Sequence, residues 1–241
     1  MNLALDFGNT RIKAGLFSEG RLQKVSVYRQ WDELLNGLPE IKIIQHCIIG
    51  SVTGAHEKAM SELSRFFPVS LFTPQSRIPL TNRYTSALTL GSDRLAASIG
   101  AFCLSPNQNV LTIDAGTCIK YNFVNDHNEY LGGAISPGIP MRLKAMNHYT
   151  HALPLVDADP EYDLLIGSNT RESLLSGAIT ATAAEADGMI QRYAGTFPDL
   201  VVYITGGDAA YLCKQVKSRF FANQNLLLKG LNAILELNLE S

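Results

Sequence analysis

The chain has 241 residues, 46% of them hydrophobic and 17% charged, which is ample apolar material for one large domain or two small ones. Twenty basic and 22 acidic residues give a net charge of −2 with no dense basic run, which argues against a nucleic-acid partner. No apolar stretch is long enough to span a bilayer, the first apolar strand carries Asp6 in place of a signal-peptide layout, and the four cysteines (Cys47, Cys103, Cys118, Cys213) lack CxxC spacing. A cytoplasmic protein with reduced thiols and no zinc centre is expected.

In chain order, Leu3 to Asp6 is a short apolar strand ending in an aspartate, followed by the turn Gly8-Asn9-Thr10. A second strand over Arg11–Phe17 and a third over Leu22–Tyr28 flank the turn Ser18-Glu19-Gly20. Trp31–Leu38 reads as a short helix, Lys42–Ile49 as a buried strand closed by Gly50-Ser51, Ala55–Phe67 as a helix stopping before Pro68, and Val69–Phe72 as a strand. A loop with Pro74 and Pro79 passes Tyr84 to Gly91, and Ser92–Leu104 reads as a helix with small residues suited to close packing.

From about Asn109 the opening pattern returns. Leu111-Thr112-Ile113-Asp114 is again an apolar run ending in an aspartate, and Ala115-Gly116-Thr117 is again a glycine turn closed by a hydroxyl residue. Strands over Cys118–Val124 and Tyr130–Ser136 flank the turn Asn125–Asn128. Pro137–Pro140 forms the lip of a helix to about His148, with Pro140 suited to its first turn. Asn169-Thr170-Arg171-Glu172 resembles a capping box and predicts a long helix over Thr170–Tyr193. Val201–Thr205 reads as a strand ending in Gly206-Gly207, with a helix from Asp208, a strand at Leu226–Leu228 and a last helix from about Gly230. The echo predicts two similar domains, 1–107 and 108–241, joined near Pro106–Gln108.

The chemistry concentrates at the strand ends. A carboxylate repels phosphate, but Asp6 and Asp114 can each hold a cation that binds it, often through the cation's waters. Gly8, Asn9, Thr10, Gly116 and Thr117 offer amides and hydroxyls to phosphate, and Lys13 on the second strand can reach the same anion. Either Asp-x-Gly alone is equally a plain hairpin turn; two in matching strand context favour the phosphate reading. Gly15–Leu22 has P-loop glycine spacing but lacks the Lys and Ser/Thr, and reads as a hairpin.

Gly91-Ser92-Asp93-Arg94 opens a helix, where Ser92 can cap and the dipole favours an ionised Asp93 able to accept a hydroxyl proton. Arg94 can neutralise an anionic group. The same residues are also ordinary capping chemistry. The glycine pairs Gly132-Gly133 and Gly206-Gly207 serve phosphate, base or ribose, or simply make tight turns. Tyr84 is a packing residue or a contact, Thr170 a cap or a contact, and the i,i+3 pair His148 and His151 a solvated helix end or a shared ligand site.

Taken together, the ordered motifs Asp6–Lys13, Gly91–Arg94, Asp114–Thr117, Gly132–Gly138, Asn169-Thr170, Thr205–Gly207 and Leu228–Leu231 resemble the type III pantothenate kinases over nearly the whole chain. That family belongs to the actin, hsp70 and sugar-kinase superfamily. The resemblance implies an α/β fold of two duplicated actin-like (ribonuclease H-like) domains, each a mixed sheet flanked by helices, with a nucleotide cleft between them. It implies ATP-dependent phosphorylation of pantothenate, the first step of coenzyme A synthesis, in a cytoplasmic homodimer that binds neither nucleic acid nor membrane.

By the same resemblance ATP lies over Asp6, Phe7, Gly8, Asn9, Thr10, Arg11, Ile12 and Lys13 and at Thr117, with Gly206 and Gly207 also on the nucleotide. Mg2+ accompanies ATP near Asp6, and a monovalent cation, potassium or ammonium, sits at Asp114. Pantothenate contacts Tyr84, Gly91, Ser92, Asp93 and Arg94, with Asp93 the catalytic proton acceptor, and Thr170 from the neighbouring subunit. The family often carries small or hydroxyl residues after the second aspartate motif and an acid on that strand; here Lys120 and Asn122 stand instead, which leaves the ion preference open. Competing readings are an actin- or hsp70-like nucleotide switch and a transcription accessory protein without kinase activity.

Overall fold

The computed structural model describes residues 1–8, 10–51 and 56–240. The backbone divides into two compact units, one of Met1–Pro106, His127–Tyr130 and Asn225–Ser241, the other of Asn107–Asp126 and Leu131–Gln224. A single division at residue 107 therefore misses the return of the last helix to the first unit.

In the first unit β1 (Asn2–Phe7), β2 (Ile12–Ser18) and β3 (Arg21–Tyr28) form an antiparallel meander. The β2–β3 turn places Glu19 and Gly20 at positive φ, the two-residue geometry that matches strand twist, so the P-loop look-alike is a hairpin. After α1 (Trp31–Asn36), β4 (His46–Ser51) joins β1 in parallel, then α2 (Glu57–Leu63) leads to β5 (Val69–Leu71) beside β4. The strand order is β3-β2-β1-β4-β5. β6 (Thr81–Asn82) pairs with Glu129 and Tyr130, and α3 (Ser92–Leu104) follows, with the bounds that the sequence indicated.

The second unit repeats the plan. β7 (Val110–Ala115), β8 (Cys118–Val124) and β9 (Glu129–Pro137) form the meander. Then come α4 (Ile139–His148), α5 (Thr170–Leu175), a π-turn at Ser176–Thr180, α6 (Ala181–Thr196), β10 (Val201–Thr205), α7 (Ala209–Gln215) and β11 (Phe221–Ala222). The strands read β11-β10-β7-β8-β9-β6, with β10 parallel to β7 and β11 parallel to β10. Mirrored end for end and without the two-residue β6, that is the order of the first sheet. Each strand with an aspartate as its penultimate residue thus has at least two strands on either side.

The chain then re-enters the first unit as α8 (Leu226–Leu239), packed on α3, β1 and β4. The α3–α8 crossing is backbone on backbone: a Cβ on Gly230 would lie 1.8 Å from the Ala96 carbonyl oxygen, and one on Gly100 1.9 Å from that of Leu226. Leu226–Leu228 is the first turn of this helix and not a strand. Its leucines continue into Leu231, Ile234 and Leu235 at helical spacing, and a three-residue apolar run cannot distinguish the two structures. The strand preceding it is β11, two residues long.

Three other boundaries differ from expectation. Pro39–Ile43 is a 3-10 turn, and only His46–Ser51 is strand, because six-residue β1 offers just that length of ladder, from Asn2 opposite His46 to Phe7 opposite Ser51. The helix expected from Ala55 spans Glu57–Leu63, with Ala55 itself outside the described residues. The long helix from Thr170 continues to Thr196 but widens at Ser176–Thr180, where Ser176 and Thr180 hydroxyls donate to the Leu165 and Leu164 carbonyls.

Candidate active site

In the first unit Asp6 is the penultimate residue of β1, opposite Lys13 on β2 and Gly50 on β4. The turn that follows is closed by the Gly8 amide donating to the Arg11 carbonyl at 3.1 Å. Thr10 and Arg11 are exposed and Lys13 half-buried, so their side chains can meet a ligand. Phe7 (2% exposed, its ring 6.1 Å from Trp31) and Ile12 lie in the core of this unit, so only their backbone can. Asn9 lies outside the described residues.

The Gly91–Arg94 segment is joined to this turn through β4. Phe7 is opposite Ser51, and the Ser51 carbonyl accepts the Ser92 hydroxyl at 3.0 Å. Ser92 is therefore not the cap of α3: Gly91 occupies the cap position, and Ser92, as first helical residue, turns its hydroxyl to the strand. Asp93, in the first turn, accepts the Arg94 amide at 2.8 Å. Arg94 is only 6% exposed, its guanidinium carbon 5.4 Å from the Tyr84 ring centroid, and Tyr84 packs on Tyr130 at 6.2 Å. The unit thus brings Tyr84, Gly91, Ser92, Asp93 and Arg94 together.

In the second unit Asp114 faces Thr205 on β10 and Lys120 on β8. Lys120 Nζ stands 2.7 Å from Asp114 Oδ2. The other carboxylate oxygen faces the Gly206 turn: a Cβ on Gly206, at φ +99°, would lie 2.5 Å from Oδ1 and 2.1 Å from the Ala115 carbonyl oxygen. On the other side a Cβ on Gly138 would lie 2.0 Å from the Gly116 carbonyl oxygen. Glycines at 138 and 206 let two further loops close on the Asp114 turn. Thr117 and Gly207 are exposed above it, with amides and a hydroxyl able to meet phosphate.

Two features here went unread in the sequence. The Asp208 amide donates to the Ala115 carbonyl, and burial, then the Asp114 charge, push the Asp208 carboxyl above the ordinary range. Arg142 donates to the Pro137 carbonyl and the Ser136 hydroxyl, pairs with Glu185, and so fixes the Gly138 lip; Tyr121 donates to the same glutamate at 3.1 Å. The first could have been found from Thr205-Gly206-Gly207-Asp208; the second is long-range and left no local signal. Thr170 is exposed as the first residue of α5, capped by Asn169, whose side chain accepts the Glu172 amide at 3.0 Å.

Among the described residues no group of three or more His, Cys, Asp or Glu could cage a metal, and His148 and His151 form no such group. A lone strand-end carboxylate such as Asp6 suits magnesium carried mainly on nucleotide phosphates and water. No helix among the described residues is long and apolar enough to cross a membrane.

The arrangement of two mixed sheets with flanking helices is that of actin-like sugar kinases. A solved structure titled a putative 2-dehydro-3-deoxygalactonokinase, from Sinorhizobium meliloti, superposes with TM-score 0.61 at 13% identity, covering 99% of both chains. One titled a conserved putative Baf family transcriptional activator, from Campylobacter jejuni, gives 0.64 at 20% identity over 99% of this chain and 100% of that one. At such identities these similarities define the fold, an α/β actin-like kinase fold. Residues 2–192 match the family model for type III pantothenate kinases. The chain is 40% identical to a type III pantothenate kinase of Christiangramia forsetii, covering 99% of each, and 35% identical to one of Flavobacterium johnsoniae, covering 96% of each. The chain belongs to the type III pantothenate kinase family.

Proposed function

We infer that the chain transfers the γ-phosphoryl group of ATP to the primary hydroxyl of pantothenate, forming 4′-phosphopantothenate and opening coenzyme A synthesis. The observation that carries the residue assignment is the Ser92–Ser51 bond, which fixes the Asp93 helix start beside the strand end bearing Asp6. An acceptor-binding acid and a phosphate-binding turn are then held on one rigid sheet edge. Such positioning supplies most of what phosphoryl transfer asks of a protein.

In this reading the backbone of Asp6–Lys13, with the side chains of Thr10, Arg11 and Lys13, binds the phosphates. Thr117, Gly206 and Gly207 are further nucleotide contacts. Asp6 would hold magnesium, which when bound neutralises phosphate charge. Tyr84, Gly91, Ser92 and Arg94 bind pantothenate, joined by Thr170 of the neighbouring subunit in a cytoplasmic homodimer. A carboxylate is too weak a base to deprotonate an alcohol beforehand. Asp93 orients the hydroxyl and takes its proton late, as the bond to phosphorus forms. A positive charge at Asp114 completes the phosphate side of the second unit; the resemblance assigns it to potassium or ammonium.

The test is ADP release with and without pantothenate, with the product identified by mass. Formation of phosphopantothenate is expected, and Asp93→Asn should lower turnover by about 10²–10⁴-fold while ATP affinity holds. Equal hydrolysis without pantothenate would mark a nucleotide switch instead, and near-normal turnover of Asp93→Asn would remove that residue from catalysis.

A further inference from the structure

The residues around Asp114 fit a dissolved cation poorly. One carboxylate oxygen holds the Lys120 ammonium at 2.7 Å, and the other faces the Gly206 backbone. The two side chains are only 19% and 14% exposed, so bulk salt weakens their attraction little. A second cation bound there would meet the charge of the first.

We propose that Lys120 is the resident cation of this site: its ammonium takes the place of potassium or ammonium ion at Asp114, and the enzyme works without a monovalent activator. The inference rests on the phosphate-site reading of the Asp114 turn. Three observations support it. The placement is built into the ladder, because the β7–β8 register sets Lys120 directly opposite Asp114 and the side chains meet across one strand spacing. The same register recurs in the fold: in the first unit the strand-end Asp6 stands opposite Lys13 across the β1–β2 ladder. The chemistry is also conserved, since an alkylammonium offers N–H donors and a unit charge as ammonium ion does, and its tether spares the entropy of capturing an ion.

A charge fixed on a strand differs from an exchangeable one in what it responds to. Turnover of the intact enzyme should be indifferent to which alkali cation fills the buffer. Removing the ammonium should leave the Asp114 carboxylate uncompensated and open a cavity about the size of the lost group. Potassium or ammonium can then enter from solution.

The experiment measures phosphopantothenate and ADP directly by chromatography, at constant ionic strength, in potassium, ammonium, sodium and tetramethylammonium chloride. Wild-type rates should agree within about twofold across the four salts, whereas Lys120→Ala should lose about tenfold or more in tetramethylammonium and recover with added potassium or ammonium. Saturable activation of the wild type by potassium or ammonium, by about tenfold, would overturn the proposal. So would a Lys120→Ala enzyme of wild-type rate in tetramethylammonium. A second arm titrates thallium(I), a potassium mimic, by NMR in the presence of a non-hydrolysable ATP analogue. Wild type should show no saturable site and Lys120→Ala one; a saturable site in the wild type overturns the idea. If the wild type phosphorylates nothing in any salt, the kinase reading fails while the thallium arm still decides. Should Lys120→Ala not fold, the wild-type salt series and titration decide alone.

Discussion

Ser92 donates its hydroxyl to the carbonyl of Ser51, and through that one bond the start of α3 is fastened to the end of β4. Because Ser51 is opposite Phe7, the residue after Asp6, a shift of α3 should be felt at the turn that follows β1. Ser92→Ala should cost about 0.5–1.5 kcal/mol for the lost bond. Its larger effect should be a fall in kcat/KM for pantothenate, with KM for ATP changed less. Ser92→Thr keeps the hydroxyl and should recover part of the loss. Steady-state kinetics of the two variants check this; an equal loss in both would mean that the hydroxyl is not the cause.

The α3–α8 crossing admits no side chain. Gly230→Ala drives a methyl into the Ala96 carbonyl, which belongs to helix backbone and cannot rotate away. The helices must separate, at a cost of about 3 kcal/mol or more. For a chain of this size that lowers Tm by about 6–12 °C. Gly188→Ala in α6 is the control, because a Cβ there meets nothing within 4 Å. It should hold or raise Tm, since alanine favours helix by about 1 kcal/mol over glycine. Thermal melting of both variants by circular dichroism makes the comparison.

Glu172 should give the start of α5 an acid-sensitive lock. The Ser168 amide, then the Ser168 hydroxyl and the Asn169 side chain hold its carboxyl below the ordinary range. A depressed carboxyl adds stability above its unfolded value of about 4.3 and loses it as pH falls from there towards the folded value. Protection of the Ser168 amide against hydrogen exchange, corrected for intrinsic rate, should fall across that window in the wild type. In Glu172→Gln it should be low and nearly flat with pH. Equal profiles would dismiss the lock.

What the sequence displayed was local chemistry. The α3 helix from Ser92, the Val201–Thr205 strand and the Asn169 cap are written within a few consecutive residues, and the fold uses them as read. The duplication was legible for the same reason, because the meander-and-aspartate pattern occurs twice; the actin-like fold class came from the resemblance of the ordered motifs to a known family. What stayed hidden depends on distant partners. The length of β4 is set by β1, not by its own isoleucines. Whether Leu226–Leu228 is strand or helix is settled by α3, more than a hundred residues earlier. Lys120 was visible as an unexpected charge, but the carboxylate it meets is chosen by hairpin register. Ser92 looked like a cap because serine at a helix start usually is one; a neighbouring carbonyl on β4 competed for the hydroxyl and won.

The path of α8 sets an order of assembly. The first unit holds β1 through α3, yet α8, which lies against β1, β4 and α3, is translated only after the whole second unit. The half that leaves the ribosome first is consequently the half completed last. Until α8 arrives, the groove between Ala96 and Gly100 stays open to solvent, and nascent chains paused before Leu226 should be those most in need of a chaperone.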